Sequence, residues 1–426
     1  MRYNEGMEKI TVAVIGGGAS GLILSNALAK LHIQNAKTVV FERGERVGRK
    51  LSATGNGQGN ITNARVLDEP EGYFSTGKSD KRISALLSRH TPQDFEEFWS
   101  QRGVALVYDE RGRAYPASRQ ASSLTDALRF YATEQGVELR VNTRVIALEK
   151  SGEGFLIHYE KEGSTHTCYA QTVVLCTGGK AAKNFGTDGS AYALAQKFGH
   201  TLTRLYPSLV QLKTETTYIK TLKGIRVTNG LLRARTPLKE YALCGDIIFT
   251  DYGVSGDAVF RLSAFIAHEL ESGKVSLSID FLPELDEEKI TQMLLQKRAA
   301  YPALDSSELL FGIVNNQIGR AIMRRAAGDM QKAAQLVKDF PLQATGSLGF
   351  DYAQVTKGGV PLSETDEHFE SRFAKNLYLA GEILDVDGQC GGFNLHFAYA
   401  SACAVAEAIA EKLKKGGQNA KGGRQV

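Results

Sequence analysis

The run ITVAVIG at 10–16 opens directly onto GGASG and then SGLILSNALAKLH, an order that leaves few folds available. Its β-branched residues suit a parallel strand buried on both faces, and the following segment carries an apolar stripe at Leu24, Ala27, Leu28 and Leu31. Gly16, Gly18 and Gly21 have the GxGxxG spacing. Between a strand and a helix, the first glycine permits the tight turn, the second lets a diphosphate reach the backbone, and the third lets helix and strand pack closely. Ala19 and Ser20 would then offer N–H groups to that charge at the helix start. A second strand, TVVFE at 38–42, ends in Glu42, followed by Arg43. A carboxylate there can accept ribose hydroxyls and would repel a 2′-phosphate, which favours FAD or NAD over NADP. The bland alternative is a plain βαβ unit ending in a solvated acid.

The next segment helps to choose between the two cofactors. GRKLSATGNGQGNITN at 48–63 is a loop of small and amide-bearing residues where a nicotinamide enzyme would continue into ordinary βα units. Such a loop can lie along an extended cofactor, with Gly48, Lys50, Leu51, Thr54, Gly55 and Asn60 as candidate contacts. That points to FAD; a flexible surface turn is the competing reading. The C-terminal stretch from Asn376 reads as a strand, an acidic glycine loop and a long small-residue helix, returning the chain to the nucleotide domain. Gly391, Gly392, Phe393 and Asn394 fall at the helix start, where free N–H groups stabilise negative charge; Glu382, Asp385 and Asp387 are candidates for ribityl contacts, and Gly381 before them for cofactor binding. QTVVLCTGGK at 171–180 is a further buried strand running into Thr177, Gly178 and Gly179, with Cys176 as core packing. VELRVNTRVIALEK at 137–150, including the candidate Val145, and FLIHYE at 155–160 read as an edge ribbon before it.

The chain has 426 residues, enough for two or three domains with real cores. Its 51 basic and 47 acidic residues are too evenly balanced for a dedicated nucleic-acid binder. Cys168, Cys176, Cys244, Cys390 and Cys403 include no CxxC and no His/Cys cluster, so neither a disulfide framework nor a metal site is expected, and a reducing cytoplasm fits best. MRYNEGMEKI lacks a signal-peptide core, and no stretch approaches the roughly 20 apolar residues of a membrane span. KKGGQNAKGGRQV reads as a frayed tail.

Five ordered blocks resemble the HI0933-like flavoproteins, a family that includes bile-acid reductases of the BaiN type. They are VIGGGASG at 14–21, GRKLSATGNGQGNITN at 48–63, FGTDGSAYALAQKFGH at 185–200, DIIFTDYGVSGDAVFRLS at 246–263, and GGVPLSET through LYLAGEILDVDGQCGGFNLHFA. The resemblance implies an α/β fold: a discontinuous FAD/NAD(P)-binding Rossmann-like domain at 1–200 and 346–426, with an inserted domain at 201–345. That insert would be a β-barrel over about 201–280 and 340–345, carrying a helical subdomain over about 284–339. Short alternating runs up to Asp280 and amphipathic segments such as DEEKITQMLLQKRAA and DMQKAAQLVKD agree with this. The sequence departs from the family pattern at Gln58-Gly59, Asp251, Asp257 and His396, positions where members often carry Arg-Cys, His, Pro and Gln.

FAD carries the redox chemistry, so the protein must orient it and place a proton donor. No second GxGxxG follows a strand, so NAD(P)H is expected to dock transiently over the flavin as electron donor, the alternative being that the substrate itself reduces it. The leading expectation is a cytoplasmic oxidoreductase passing hydride to an activated C=C of an apolar small molecule, steroid or bile-acid-like by the resemblance. Tyr252, in a predicted loop between domains, is the first candidate proton donor, with a packed aromatic as the alternative. His396 either faces the cavity or satisfies a core hydrogen bond, and Cys390 is either a redox thiol or a packed small residue. Two other classes stay open. One is a tRNA-modifying flavoprotein using the basic stretch KTLKGIRVTNGLLRARTPLK at 220–239, whose Lys220, Lys223, Arg226, Arg233, Arg235 and Lys239 read equally as a solvated barrel face. The other is a flavin-binding sensor without turnover.

Overall fold

The computed structural model describes residues 6–31, 36–75, 81–237 and 239–422. Residues 1–5 and 423–426, which bear on the expectations for the two ends of the chain, lie outside that set. The chain divides into two compact units, 1–205 with 355–426, and 206–354, where the sequence set the borders at 200 and 346.

The first unit is built on strand β1 (Lys9–Ile15), helix α1 (Ala19–Lys30) and strand β2 (Thr38–Phe41), as the glycine spacing predicts. β2 is buried throughout and β1 almost so, hence their unbroken apolar composition. Each fully buried Val, Leu or Ile here contributes about 1.5–3 kcal/mol relative to exposure. The 12-residue strand Ser164–Leu175 organises the sheet. One edge pairs with β1 in parallel, from Lys9↔Tyr169 to Ile15↔Leu175. Along the other edge its first half runs antiparallel to Gly154–Lys161, while Val173–Leu175 pairs in parallel with Leu377–Leu379. The ribbon of Thr143–Ser151 and Gly154–Lys161 thus leads into the main sheet, and the C-terminal segment completes it. The last helix, Phe393–Gly422, packs along α1. It continues into the stretch expected to be frayed, because no proline or β-branched run interrupts it; Glu411 and Lys415 pair at 2.5 Å one turn apart.

The second unit is a closed six-stranded barrel in the order Leu212–Thr214, Gly253–Ser255, Glu240–Phe249, Arg226–Arg235, Val275–Asp280 and Phe340–Ser347. Helices Glu287–Ala300, Asn316–Ala326 and Met330–Lys338 fall between its last two strands. Asp286, Asn315 and Asp329 cap them, each accepting a backbone N–H of the first turn. The fold is therefore α/β, Rossmann-like, with an inserted antiparallel barrel and a helical subdomain. Among the described residues no helix is long and apolar enough to cross a membrane.

A buried polar contact helps fasten the last helix to the rest of the first unit. His396, fully buried, lies between Thr62 Oγ1, 2.7 Å from Nδ1, and the His90 carbonyl, 2.9 Å from Nε2. The carbonyl fixes the tautomer: Nε2–H donates to it, and Nδ1 accepts from Thr62. Burial pulls His396 down to about 4, and burial also takes His90 to about 4. In the unfolded chain both return toward the ordinary histidine value near 6.5. The unfolded state therefore binds more protons between those limits, and stability falls as pH drops from about 6.5 to about 4, by at most about 1.4 kcal/mol per pH unit for each histidine. Denaturant titrations across this range should show a shallower acid loss for His396→Gln than for wild type; equal slopes would count against the buried neutral histidine.

Candidate functional site

The glycine turn separates three roles. A side chain on Gly16 would run into the Cys176 carbonyl, and one on Gly21 into the Gly16 carbonyl. Gly18 differs. Its φ is −79°, which any residue adopts, and a Cβ there would meet nothing within 4 Å. The same residue is the N-cap of α1, with no side-chain cap and no acid in the first turn. The helical ladder begins at Leu22 N–H, which donates to the Gly18 carbonyl, so the N–H groups of Ala19, Ser20 and Gly21 precede it. Open space thus adjoins uncapped donors at the positive end of a helix, the arrangement a diphosphate requires. The Ser20 hydroxyl is turned inward toward Cys176 and Gly381, so Ser20 contributes here only its backbone.

Glu42 sits beside this turn. Its carboxylate accepts from Gly17 N at 2.9 Å and Gly44 N at 2.7 Å, leaving acceptor capacity on both oxygens. Its main chain is held by Thr143 of the edge ribbon, whose N–H donates to the Glu42 carbonyl at 2.9 Å. Val145, two residues on, lies half-buried at an irregularity in the ribbon pairing. Arg43 is engaged elsewhere: Nε donates to the Gly186 carbonyl at 2.9 Å and Nη1 to Asp188 at 3.0 Å and Ser190 at 3.2 Å. It clamps the loop 186–190. Burial acts to raise the Asp188 pKa, but the bonds from Arg43 and Ser190 outweigh it and hold the carboxyl well below its usual range.

The loop at 48–63 spends several of its N–H groups on itself. Ser52, Ala53, Thr54, Gly57, Gln58 and Gly59 donate their N–H groups to carbonyls of the same loop, closing successive turns after the short helix Arg49–Ser52. A Cβ on Gly55 would press on Asn60, and one on Gly59 on Leu124 and Ala121. These glycines therefore serve the loop's winding and its seating on helix Ala121–Glu134. Thr54 bonds the Lys50 carbonyl at 3.2 Å, Asn60 bonds the carbonyls of Thr62 and Ala114, and Leu51 is core. Lys50 reaches across, pairing with Glu382 at 2.7 Å.

That pair joins the loop to a second cluster. The other Glu382 oxygen accepts from Thr356 N at 2.9 Å, and Thr356 Oγ1 accepts from Lys180 and Ala181 N–H where Thr177-Gly178-Gly179 leaves the central strand. Thr177 Oγ1 and the Tyr192 hydroxyl are buried there without a hydrogen-bond partner. Burial, with Glu382 and Asp385 nearby, raises the Tyr192 phenol far above its ordinary value. Tyr192 lies inside the family block at 185–200 and Thr356 just before the block that opens at Gly358, and neither carries a further sequence signal.

At the start of the last helix, the candidate side chains point into the protein. Gly381 abuts Ser20, Gly392 abuts Thr62, and the Phe393 ring packs 5.4 Å from that of Tyr73. The Asn394 amide bonds both main-chain groups of Gly388, at 2.8 and 2.7 Å. His396 N–H is the donor that reaches back to the Gly392 carbonyl, so the N–H groups of Phe393, Asn394 and Leu395 precede the ladder. Asn63 donates to the Gly391 carbonyl at 3.1 Å. Asp385 and Asp387 are both buried, with Lys357 3.8 Å from Asp387. Cys390 is half-buried and in no disulfide. His396, with both ring nitrogens engaged in the core, is not available as a proton donor. Tyr252 lies in the other unit, in the turn between strands Glu240–Phe249 and Gly253–Ser255, and burial raises its pKa.

The basic stretch at 220–239 is largely neutralised. Lys223 pairs with Asp251 at 2.7 Å, Arg226 with Asp246, Arg233 with Asp280 at 3.6 Å and Arg235 with Glu240 at 3.7 Å. Asp257, another departure from the family pattern, pairs with Arg261 at 3.2 Å, while Gln58 is exposed.

The family model described as "HI0933-like protein Rossmann domain" matches residues 10–408. The 3-dehydro-bile acid delta(4,6)-reductase of Clostridium scindens is 33% identical over 94% of this chain and 99% of its own length. The ribosomal RNA dihydrouridine synthase of Escherichia coli is 27% identical over 94% of this chain and 98% of its own. Among solved structures, the 3-ketosteroid-delta4-(5alpha)-dehydrogenase of Rhodococcus jostii shares the fold at 16% identity and a TM-score of 0.52, covering 96% of this chain and 98% of that one. The chain belongs to the HI0933-like family, a Rossmann-like FAD-binding family of oxidoreductases.

Proposed function

We propose that this protein is an FAD-dependent reductase that saturates a C=C bond conjugated to a carbonyl, with NAD(P)H as electron donor and an apolar, steroid- or bile-acid-like substrate. The observation that carries the cofactor assignment is the open space at Gly18 against the uncapped start of α1, flanked by the spare acceptor capacity of Glu42. FAD bound there supplies the capacity to take up and pass on a hydride. Gly18, Ala19, Ser20 and Gly21 would hold its diphosphate through backbone N–H groups, and Glu42 its adenosine ribose. Lys50, Glu382, Thr177, Gly178, Gly179 and Asp385 form the second set of candidate contacts, and the N–H groups at 393–395 a third, suited to negative charge. Gly16 and Gly392 serve by allowing the backbone to approach itself, and Gly381 by admitting the Ser20 side chain.

The substrate class is supported by the bile-acid reductase relative, 33% identical over 94% of this chain. A second reading has its own support, since the ribosomal RNA dihydrouridine synthases of Escherichia coli and Haemophilus influenzae match over the same length. Both named activities saturate a C=C conjugated with a carbonyl, so the reaction class is common to the two readings. The pairing of Lys223, Arg226, Arg233 and Arg235 with acids favours the small molecule, because an unneutralised basic face is what RNA phosphates would seek. Tyr252 is the proposed proton donor, a phenol that is protonated at neutral pH as any tyrosine is and that lies in the turn before strand Gly253–Ser255.

Anaerobic mixing with NADH and then NADPH should bleach the flavin band near about 450 nm, a property of the cofactor itself. Reoxidation by a 3-keto-Δ4 steroid acid, and not by uridine-containing ribosomal RNA, is the expected outcome; the reverse selects the RNA reading, and a flavin that neither nucleotide bleaches removes the NAD(P)H assignment. Gly18→Ala should melt with wild type when free of FAD yet bind FAD at least about tenfold more weakly, while Gly21→Ala should lower the melting temperature of the FAD-free protein as well. Tyr252→Phe should leave flavin reduction unchanged and slow substrate reduction by about 10²–10⁴. An unaltered second half-reaction would exclude Tyr252.

A further inference from the structure

The inserted unit holds a cleft of its own, about 380 Å³ in volume. Strands Val275–Asp280 and Phe340–Ser347 line it together with Glu215, Tyr218, Arg235 and Arg325. The volume falls within the range of small-ligand sites.

Arg325 is the unusual group. Its guanidinium lies 4.2 Å from the centroid of the Tyr218 ring and 5.0 Å from that of Phe340, and one N–H donates to the Pro341 carbonyl at 2.9 Å. Among the described residues it has no carboxylate within ion-pairing distance, although burial already disfavours its charge. Stacking against the two rings fixes the plane of the guanidinium and leaves further N–H donors at its edge. The surrounding charges do not neutralise it. Glu215 is paired with Lys274 at 3.1 Å, Asp339 is exposed, and Arg235 adds a second cation that lies 3.7 Å from Glu240. Ser278, on the same cleft wall, buries its hydroxyl without any hydrogen-bond partner. An oriented cation lacking an anion, beside an unpartnered hydroxyl in a cavity of ligand size, calls for an acceptor that the chain does not provide.

We propose that this cleft binds a small organic oxyanion, a carboxylate or a phosphate monoester, whose charged end meets Arg325 and whose body lies beside Tyr218. The site belongs to residues 206–354, whereas the dinucleotide turn belongs to the other unit, so the two assignments stand or fall separately.

The test is isothermal titration of the FAD-loaded protein with benzoate, phenyl phosphate and benzyl alcohol. Benzoate or phenyl phosphate should bind and benzyl alcohol should not; whichever of the two binds tighter identifies the anion class. Arg325→Gln should weaken that binding at least about tenfold while retaining the wild-type flavin content. Ser278→Ala removes a hydroxyl that has no partner, so it should melt no lower than wild type and still bind the anion more weakly, which keeps the test decisive if Arg325→Gln does not fold. Equal binding of benzyl alcohol, no heat from either anion, or unchanged affinity in both variants overturns the proposal. Salt-sensitive binding of a short single-stranded oligoribonucleotide, lost in Arg325→Gln while neither small anion binds, overturns it in favour of RNA.

Discussion

The first unit depends on how closely its strands are laced together where β1 ends. Gly16 N–H donates to the Phe41 carbonyl and Cys176 N–H to the Ile15 carbonyl, both at 2.8 Å, while Gly48 N–H reaches Gly17 at 2.7 Å and Ala380 N–H reaches Leu175 at 3.0 Å. Four strand ends and a loop are thus tied at one level, with no room for a Cβ at Gly16 or Gly21. This crowding brings the start of α1 to the carboxyl ends of the strands, the position where open parallel sheets bind ligands. Polar donors are concentrated there because the backbone leaves the sheet there.

The same crowding explains which parts of the fold were legible in the sequence. Strand–turn–helix spacing at 10–42 and the apolar runs of the long strand depend on local periodicity, and local periodicity is written directly in residue order. The barrel and its helices were legible chiefly through the family blocks, since short alternating runs do not by themselves say which strands pair. Side-chain destinations were the least legible. Arg43, adjacent to the acid beside the glycine turn, faces a loop more than a hundred residues away in sequence; Asn394 closes on Gly388; and Gly48 and Gly59 accommodate helix Ala121–Glu134. Each of these depends on what tertiary structure places opposite the residue. His396 shows the limit most plainly, because one-turn-into-the-helix describes a cavity wall and a core anchor equally well, and only Thr62 and His90 decide between them.

Charge in this protein is mostly committed locally. Glu42 is held by two backbone N–H groups and Glu382 by Lys50 and Thr356 N–H, so both carboxylates keep their positions without a ligand. Fixed acceptors of this kind need little rearrangement when a polar partner arrives, which lowers the entropic cost of binding. The modest excess of basic residues in the sequence gives no guide to this, because what matters is where the pairs close.

The central strand also governs the order in which the molecule can be assembled during synthesis. Residues Val173–Leu175 find their parallel neighbour only at Leu377–Leu379, after the whole of 206–354 has left the ribosome. Every pairing of the barrel lies within 206–354 and is available earlier. The nascent chain therefore carries an incomplete sheet edge of Val, Val and Leu throughout the translation of the barrel, held open until the C-terminal segment arrives.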